Sequence, residues 1–484
     1  MAATTRASRS LHSSSNRSSA SEDIQLLSAA DHDLTTTSNT GADTILNTKP
    51  NMPQPSPLAV LPLTTVIRSL MTTTISSSPL LLPPSLAAMS TMAHSTNPLL
   101  NPDRNPILRY AMKKTFYAQY CAGENAAEVR HTVESLKRIG FSGVILGYAR
   151  EVVLTPEQTA DLASCAGEGA AAEECIKNEI NPWAAGTLET VRLAAPGDYV
   201  ALKFTGAGRQ ALYTLSKQLP PLPSLASAID SVCQLAASRG VRLLFDAEQQ
   251  ALQAGIDDWT LDYMRRYNRD GRTVIFGTYQ AYLKATPATL SKHLAAAQKE
   301  NFSLGVKLVR GAYLGSDPRH LIHDTKADTD VAYDSIAAAL LRRSWNGPLV
   351  RPDAAASKAF PKVSMVLASH NRESVLKARA ILEAGEIGTE VAFAQLQGMA
   401  DEVSCELVAP PKAVDNNAVA EKSLARSHLK VYKYLVWGST GECMKYLLRR
   451  AHENRDAVGR TRSGRDAMRA ELWRRLRVAF GLST

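Results

Sequence analysis

The 484 residues contain no C-x-x-C pair, no P-loop, no G-x-S-x-G elbow and no uninterrupted run of about 20 apolar residues. The missing P-loop and elbow remove the common nucleotide triphosphatase and serine hydrolase readings. The missing apolar run means that no transmembrane helix is expected, since "SLMTTTISSSPLLLPPSLAAM" is broken throughout by Ser, Thr and Pro. Six cysteines, at 121, 165, 175, 233, 405 and 443, are too scattered for a disulfide framework and read as reduced thiols. Zinc-finger spacing, RNP-like aromatic stretches and basic-region heptads are absent as well, so nucleic acid is not an expected partner. The net charge of +9 is spread along the chain, which suits an anionic ligand or a membrane surface better.

Acidic residues are missing from the first twenty-one positions, "MAATTRASRSLHSSSNRSSAS", which carry Arg6, Arg9 and Arg17 among many serines. That composition is typical of a mitochondrial transit peptide. From Glu22 to about Asn105 the chain stays rich in Ser, Thr and Pro. Residues 1–105 are therefore expected to be a targeting and mostly disordered leader.

From residue 106 to 484 the texture changes. Eight short apolar runs read as strands: 143–149, 199–205, 241–247, 273–279, 305–311, 363–369, 390–396 and 430–436. Helical patterns lie between them, for example up to Gly240, from Thr286 and from Ala327. Near-continuously apolar strands alternating with helices indicate a parallel sheet covered by helices. Eight repeats over about 300 residues predict an α/β fold, a (β/α)8 TIM-like barrel. Two stretches look like insertions: a helical one around 155–197 and a loop around 345–360.

In such a barrel, function collects at the carboxyl ends of the strands. Polar groups stand there on seven of them: Lys203, Asp246, Gln280, Arg310, His370 with Asn371, Gln395 and Tyr434. The stretch "VKLVRGAY" (306–313) puts Lys307 and Arg310 three apart, on opposite faces of an extended strand. After the last strand, "CMKYLLRRAHEN" read as a helix sets Tyr446, Arg449, Arg450 and Glu453 on one face. Adjacent guanidinium groups can grip a carboxylate through bidentate hydrogen bonds. A solvated face with an Arg449–Glu453 pair is the plainer alternative. "GAGRQA" (206–211) fits the dinucleotide fingerprint, but the acid expected about twenty residues on, Asp230, falls inside the helical "SAIDSVCQL" instead of ending a strand, and His320 with His323 has no supporting ligands, so no Rossmann site and no metal site are expected.

The stretches "LLFDAEQ", "VKLVRGAYL", "LASHN", "FAQLQGM", "VYKYLVWG" and "YLLRRAHEN", in this order, resemble the proline dehydrogenase family over about residues 106–480. The leader looks like that of its eukaryotic mitochondrial members. The resemblance implies a distorted (β/α)8 barrel, FAD bound without a Rossmann fold, and oxidation of L-proline to Δ1-pyrroline-5-carboxylate. It further implies electron transfer to ubiquinone at the matrix side of the mitochondrial inner membrane. It assigns Arg449 and Arg450 to the proline carboxylate, Glu453 to orienting them, and Lys203 to the carboxylate and flavin. Asp246 would hold Tyr434 and the arginines, with Tyr434, Tyr446 and Leu396 around the ring. Gln280, Lys307, Arg310, Gly311 and Ala312 would line the isoalloxazine and its phosphates, and Ser369, His370 and Asn371 the rest of the FAD.

Two positions depart from the family's frequent pattern: Lys445 stands where proline is common, and "LVWG" (435–438) replaces "VPYG". Both are expected beside the substrate. Hydroxyproline dehydrogenase is the near alternative, and Tyr434 argues against it because the extra hydroxyl needs that space. A non-redox barrel enzyme for an anionic substrate is the distant one, and it would need a Schiff-base lysine or a metal cluster. The final "MRAELWRRLRVAFGL" aligns Met468, Leu472, Leu476 and Phe480 on one helical face, to pack on the barrel or to lie on a membrane.

Overall fold

The structure, a computed structural model, describes residues 56–150, 162–167, 169–345, 347–351, 359–385, 388–409, 429–453 and 458–481; in the segment 452–460 it gives no side chains. The strands are β1 (Gly143–Tyr148), β2 (Tyr199–Leu202), β3 (Arg242–Phe245), β4 (Ile275–Gln280), β5 (Leu304–Val309), β6 (Val363–Ala368), β7 (Glu390–Leu396) and β8 (Lys430–Trp437). They pair in parallel in sequence order, and β8 closes on β1 with Gly143 opposite Tyr432 and Tyr148 opposite Trp437. The eight runs in the sequence are the eight strands of a (β/α)8 barrel.

Period-two alternation splits each strand between two cores. Val144, Leu146, Leu243, Val306, Leu308, Met365 and Phe393 face outward into the layer shared with the helices. Ile145, Tyr199, Ala201, Leu244, Phe276, Val366, Ala392, Ala394 and Tyr432 face inward and fill the barrel. At its amino end, Tyr199 meets Phe276 and Tyr432 edge-on at 5.5 and 5.0 Å. Each such pair adds about 0.5–1.5 kcal/mol beyond area burial.

The predicted helices form at Pro223–Arg239, Thr286–Glu300 and Lys326–Leu341. The first stops at Gly240, whose φ of 65° is the left-handed C-cap conformation. The third opens with a Thr325–Asp328 capping box. The expected insertion at 155–197 is the crossover from β1 to β2, built from Ala170–Cys175, a π-helical turn and Asn181–Leu193; its start falls outside the described residues, as does half of the 345–360 loop.

The expectation of a mostly disordered chain up to residue 105 is corrected from Ser56 onward. Leu63–Ser77 and Leu82–His94 are helices, and the second packs Met89 and Ala93 against Cys443, Met444, Leu447 and Leu448 of the helix Thr440–Glu453. The Ser/Thr content misleads because the hydroxyls satisfy themselves inside the helix. Thr72, Thr74 and Ser76 donate to the carbonyls of Arg68, Leu70 and Thr72 at 3.1, 2.6 and 2.7 Å. Residues 1–55, where the targeting signal is expected, lie outside the described residues.

On the helix Gln250–Tyr267, burial pushes Asp257 up to about 7; the amide of Gln253 donates to it at 2.8 Å and opposes the rise, while Asp258 adds to it. A carboxyl raised in the folded state binds more protons there than in the unfolded chain. Its contribution to stability therefore falls as pH climbs from about 4 to 7. Asp257→Asn is expected to raise the unfolding free energy by about 2 kcal/mol at pH 8 and to change little at pH 4, read from urea melts at both values.

Candidate active site

The inward period carries to the strand ends and decides which side chains meet. Lys203 follows Tyr199 and Ala201, Asp246 follows Leu244, and Gln280 follows Phe276. Lys307 follows Gly305, Leu396 follows Ala394, and Tyr434 follows Tyr432. All six point into the mouth. Small inward residues near it (Gly147, Ala201, Ala368 and Ala394) leave room there; a Cβ at Gly147 would come within 3.1 Å of the Tyr434 hydroxyl.

A buried ion pair stands at the centre of this mouth. Lys307 Nζ lies 2.6 Å from Asp246 Oδ1, with the two residues 7% and 6% exposed. The other oxygen, Asp246 Oδ2, accepts from Tyr434 at 3.3 Å, and the Lys307 ammonium sits over the Tyr434 ring at 5.4 Å. Burial, then Asp246, holds the Tyr434 phenol well above its ordinary pKa, so it stays neutral. Lys203 donates to Tyr313 at 3.1 Å, and Tyr313 donates to the Ala247 carbonyl at 3.3 Å. Burial and the nearby Arg450 work against the charge on Lys203, but Tyr313, Asp246 and Glu248 outweigh both, and the pKa moves up.

The helix Thr440–Glu453 brings the arginines. Ser439 and Glu442 cap it reciprocally, and its first N–H groups are held by carboxylates, Thr440 by Glu124 at 2.9 Å and Gly441 by Asp103 at 2.8 Å. Asp103 belongs to the stretch expected to be disordered. Tyr446, Arg449 and Arg450 turn toward the strands, with the Arg450 guanidinium over the Tyr446 ring at 5.7 Å. A cavity of about 250 Å³ is lined by Gly147, Lys203, Tyr313, Tyr434, Tyr446 and Arg449, among others. The Glu453 side chain lies outside the described residues.

Arg310 goes the other way, as the three-residue spacing requires. It pairs with Asp330 and donates to Ser369 at 3.3 Å and Ser374 at 2.7 Å. Ser369 also accepts from the Asn371 N–H, Asn371 caps the helix Arg372–Glu383, and His370 Nε2 accepts from the Leu396 N–H at 3.1 Å. This second group of predicted residues is thus knit into the rim beyond β5 and β6. Between the groups, Gly311 has φ 154°, and a Cβ there would collide with the Tyr282 ring at 2.4 Å. Ala312 N–H donates to Gln280 Oε1 at 3.1 Å. That leaves Gln280 Nε2 buried without a hydrogen-bond partner, and the same holds for Thr278 Oγ1 one step down β4. Buried orphans of this kind suit a bound group that carries acceptor atoms.

The decoy "GAGRQA" is accounted for. The helix Arg209–Ser216 that follows it has its first N–H bonded to Glu179 at 2.6 Å, so a carboxylate holds the place of a phosphate. Sequence reasoning missed Tyr313 and Glu248 as parts of the site. Tyr313 lies beyond a glycine turn, where strand alternation no longer predicts direction. Glu248, which accepts from the Thr205 N–H at 3.1 Å, stands two places past Asp246 and reads as an ordinary loop acid.

Residues 129–463 match the family model described as proline dehydrogenase. The chain belongs to the proline dehydrogenase family. Among its relatives, a probable mitochondrial proline dehydrogenase of Schizosaccharomyces pombe is 30% identical over 417 residues, 77% of this chain and 81% of that protein. Mitochondrial proline dehydrogenase 1 of Dictyostelium discoideum is 27% identical over 73% of this chain and 63% of its own length. A hydroxyproline dehydrogenase of Mus musculus is 28% identical over 75% of this chain and 82% of its own length. In fold, the chain resembles proline utilization A of Bdellovibrio bacteriovorus, with a TM-score of 0.54 at 17% identity over 81% of this chain; it spans 38% of that larger protein.

Of the two departures from the proline dehydrogenase pattern, "LVWG" reaches the cavity through Val436 alone. Trp437 faces outward, tilted against Tyr148 at 5.2 Å and donating to Thr190 at 2.9 Å, and Lys445 is exposed. Neither Trp437 nor Lys445 lines the cavity.

Proposed function

We propose that the chain oxidises L-proline to Δ1-pyrroline-5-carboxylate with FAD and passes the electrons to ubiquinone at the matrix side of the mitochondrial inner membrane, the first step of proline catabolism. The observation that carries the reading is the cavity in which Arg449 and Lys203 face Tyr434 and Tyr446 at the barrel mouth.

Arg449 and Arg450 grip the carboxylate, Glu453 orients them, and Lys203 stands beside it. Tyr434, Tyr446 and Leu396 pack around the pyrrolidine ring, and Asp246 fixes Tyr434 and Lys307. The ring nitrogen must lose its proton before the neighbouring carbon gives up hydride. Four cations around the pocket, Lys203, Lys307, Arg449 and Arg450, disfavour the ammonium and assist that loss. FAD, when bound, supplies the two-electron acceptor. Gln280, Lys307, Gly311 and Ala312 hold its ring, with the free amide of Gln280 available to it, while Arg310, Ser369, His370 and Asn371 hold the remainder. The serine- and arginine-rich start of the chain and the mitochondrial names of its relatives support the location.

Purified protein is expected to show flavin absorbance at about 450 nm that bleaches under anaerobic L-proline and persists with hydroxyproline. Bleaching by hydroxyproline alone would move the substrate to the relative's chemistry, despite the space Tyr434 occupies. A protein that takes up no flavin and leaves proline unchanged would sink the reading.

A further inference from the structure

Exposed apolar surface is unevenly distributed. Of the 17 large apolar side chains exposed among the described residues, all but Leu219, Leu314, Val331 and Val350 lie in segments 63–110 and 473–480. Scattered singles need no explanation, but a concentration does. The helices Leu63–Ser77 and Val458–Ala479 pack side by side through Val66, Leu70, Met468 and Leu472. Arg475 donates to the carbonyls of Leu58 and Leu61 at 3.1 and 2.8 Å, and Arg465 reaches Ser77 at 3.3 Å, so the two run antiparallel. With that face spent on packing, Leu63, Ile67 and Met71 remain exposed at i, i+4 and i+8 (48%, 50% and 39%). On the last helix Trp473 and Leu476, and just past its end Phe480, remain exposed as well (56%, 40% and 77%). The face foreseen from the sequence is therefore divided: Met468 and Leu472 bind the protein, while Leu476 and Phe480 do not.

The charges around this stripe have one sign. The last helix carries seven arginines against Asp466 and Glu471. The buried Glu471 is taken by Arg474 and Arg475 at 2.8 and 2.6 Å, and Asp466 is held by Arg465 at 2.8 Å. Arg469 and Arg477 stay exposed beside Trp473 and Leu476. An indole and aliphatic side chains among arginines match the boundary between anionic headgroups and acyl chains. No described helix is long and apolar enough to cross a membrane. We propose that this two-helix face docks peripherally on an anionic phospholipid bilayer, with Trp473, Leu476 and Phe480 entering the interface and Arg469 and Arg477 meeting the headgroups.

The proposal deepens the reading above by naming the surface that meets the membrane holding the electron acceptor, and its test does not depend on turnover. Full-chain protein is floated with vesicles of phosphatidylcholine and phosphatidylglycerol at about four to one, and with phosphatidylcholine alone. The protein is expected to float with the mixed vesicles and much less with the neutral ones. Trp473→Ser with Phe480→Ser, and separately Arg469→Glu with Arg477→Glu, should each weaken the mixed-vesicle partition by about tenfold or more. Both variants should keep wild-type proline oxidation with a soluble dye as acceptor. Equal flotation of wild type and variants, or no flotation of wild type, would overturn the proposal. So would an apolar stripe that mediates self-association without lipid, seen as a dimer that the serine variant dissolves. Loss of dye reduction in the wild type would instead overturn the proline reading and leave the docking result standing.

Discussion

Arg449→Met is expected to lower kcat/KM for L-proline by between about 10²- and 10³-fold, mostly through KM, while leaving the bound flavin in place. The guanidinium lines the cavity at the end of the helix Thr440–Glu453, opposite Lys203 and Tyr434. A guanidinium on a carboxylate makes two charge-assisted hydrogen bonds, each worth about 1.5–3 kcal/mol. Methionine keeps the length and apolar bulk of the stem, so packing along the helix should survive. Pyrrolidine, which has the ring but no carboxylate, separates this loss from general damage. If the clamp is real, wild type and variant oxidise pyrrolidine at similar rates, and only the advantage of proline over pyrrolidine collapses. An equal fall for both substrates would mean that Arg449 supports the shape of the pocket rather than the carboxylate. Arg449→Lys should recover only part of the loss, because a point charge cannot reproduce the fork.

What could be read from the sequence followed from periodicity. Short apolar runs between helical patterns located all eight strands, and strand alternation, run to their ends, sends Lys203, Asp246, Gln280, Lys307 and Tyr434 inward. It also separates Lys307 from Arg310, one toward Asp246 and the other toward Asp330. Composition was a poorer guide. Thr72, Thr74 and Ser76 made a helix look like a linker, although their hydroxyls never leave the helix. Family pattern misled at Trp437, since a change in a motif does not say which side of the strand it falls on. Contacts between distant segments had no local signal. Nothing near Asp103 or Glu124 indicates that these carboxylates anchor the helix carrying the arginines. The barrel was therefore visible, while the support of its lid was not.

Lys307→Met should be the most destabilising change at the mouth, about 3–5 kcal/mol by urea unfolding. It removes a cation 2.6 Å from Asp246 and leaves a carboxylate that is 6% exposed with only the Tyr434 hydroxyl at 3.3 Å. The cost is that of an uncompensated buried charge, not the worth of the pair. Adding Asp246→Leu removes that charge, and the double variant should recover more than half of the loss, since two apolar residues pack where two ions had to be desolvated. Neither variant should oxidise proline: the mouth loses a cation in both, and in the double variant Tyr434 also loses its anchor on Asp246. Recovery of folding without recovery of turnover would show that the pair persists for the chemistry of the mouth at the expense of stability. A single variant within about 1 kcal/mol of wild type would instead mean that water reaches Asp246 freely, and the low-dielectric picture of the site would fail with it.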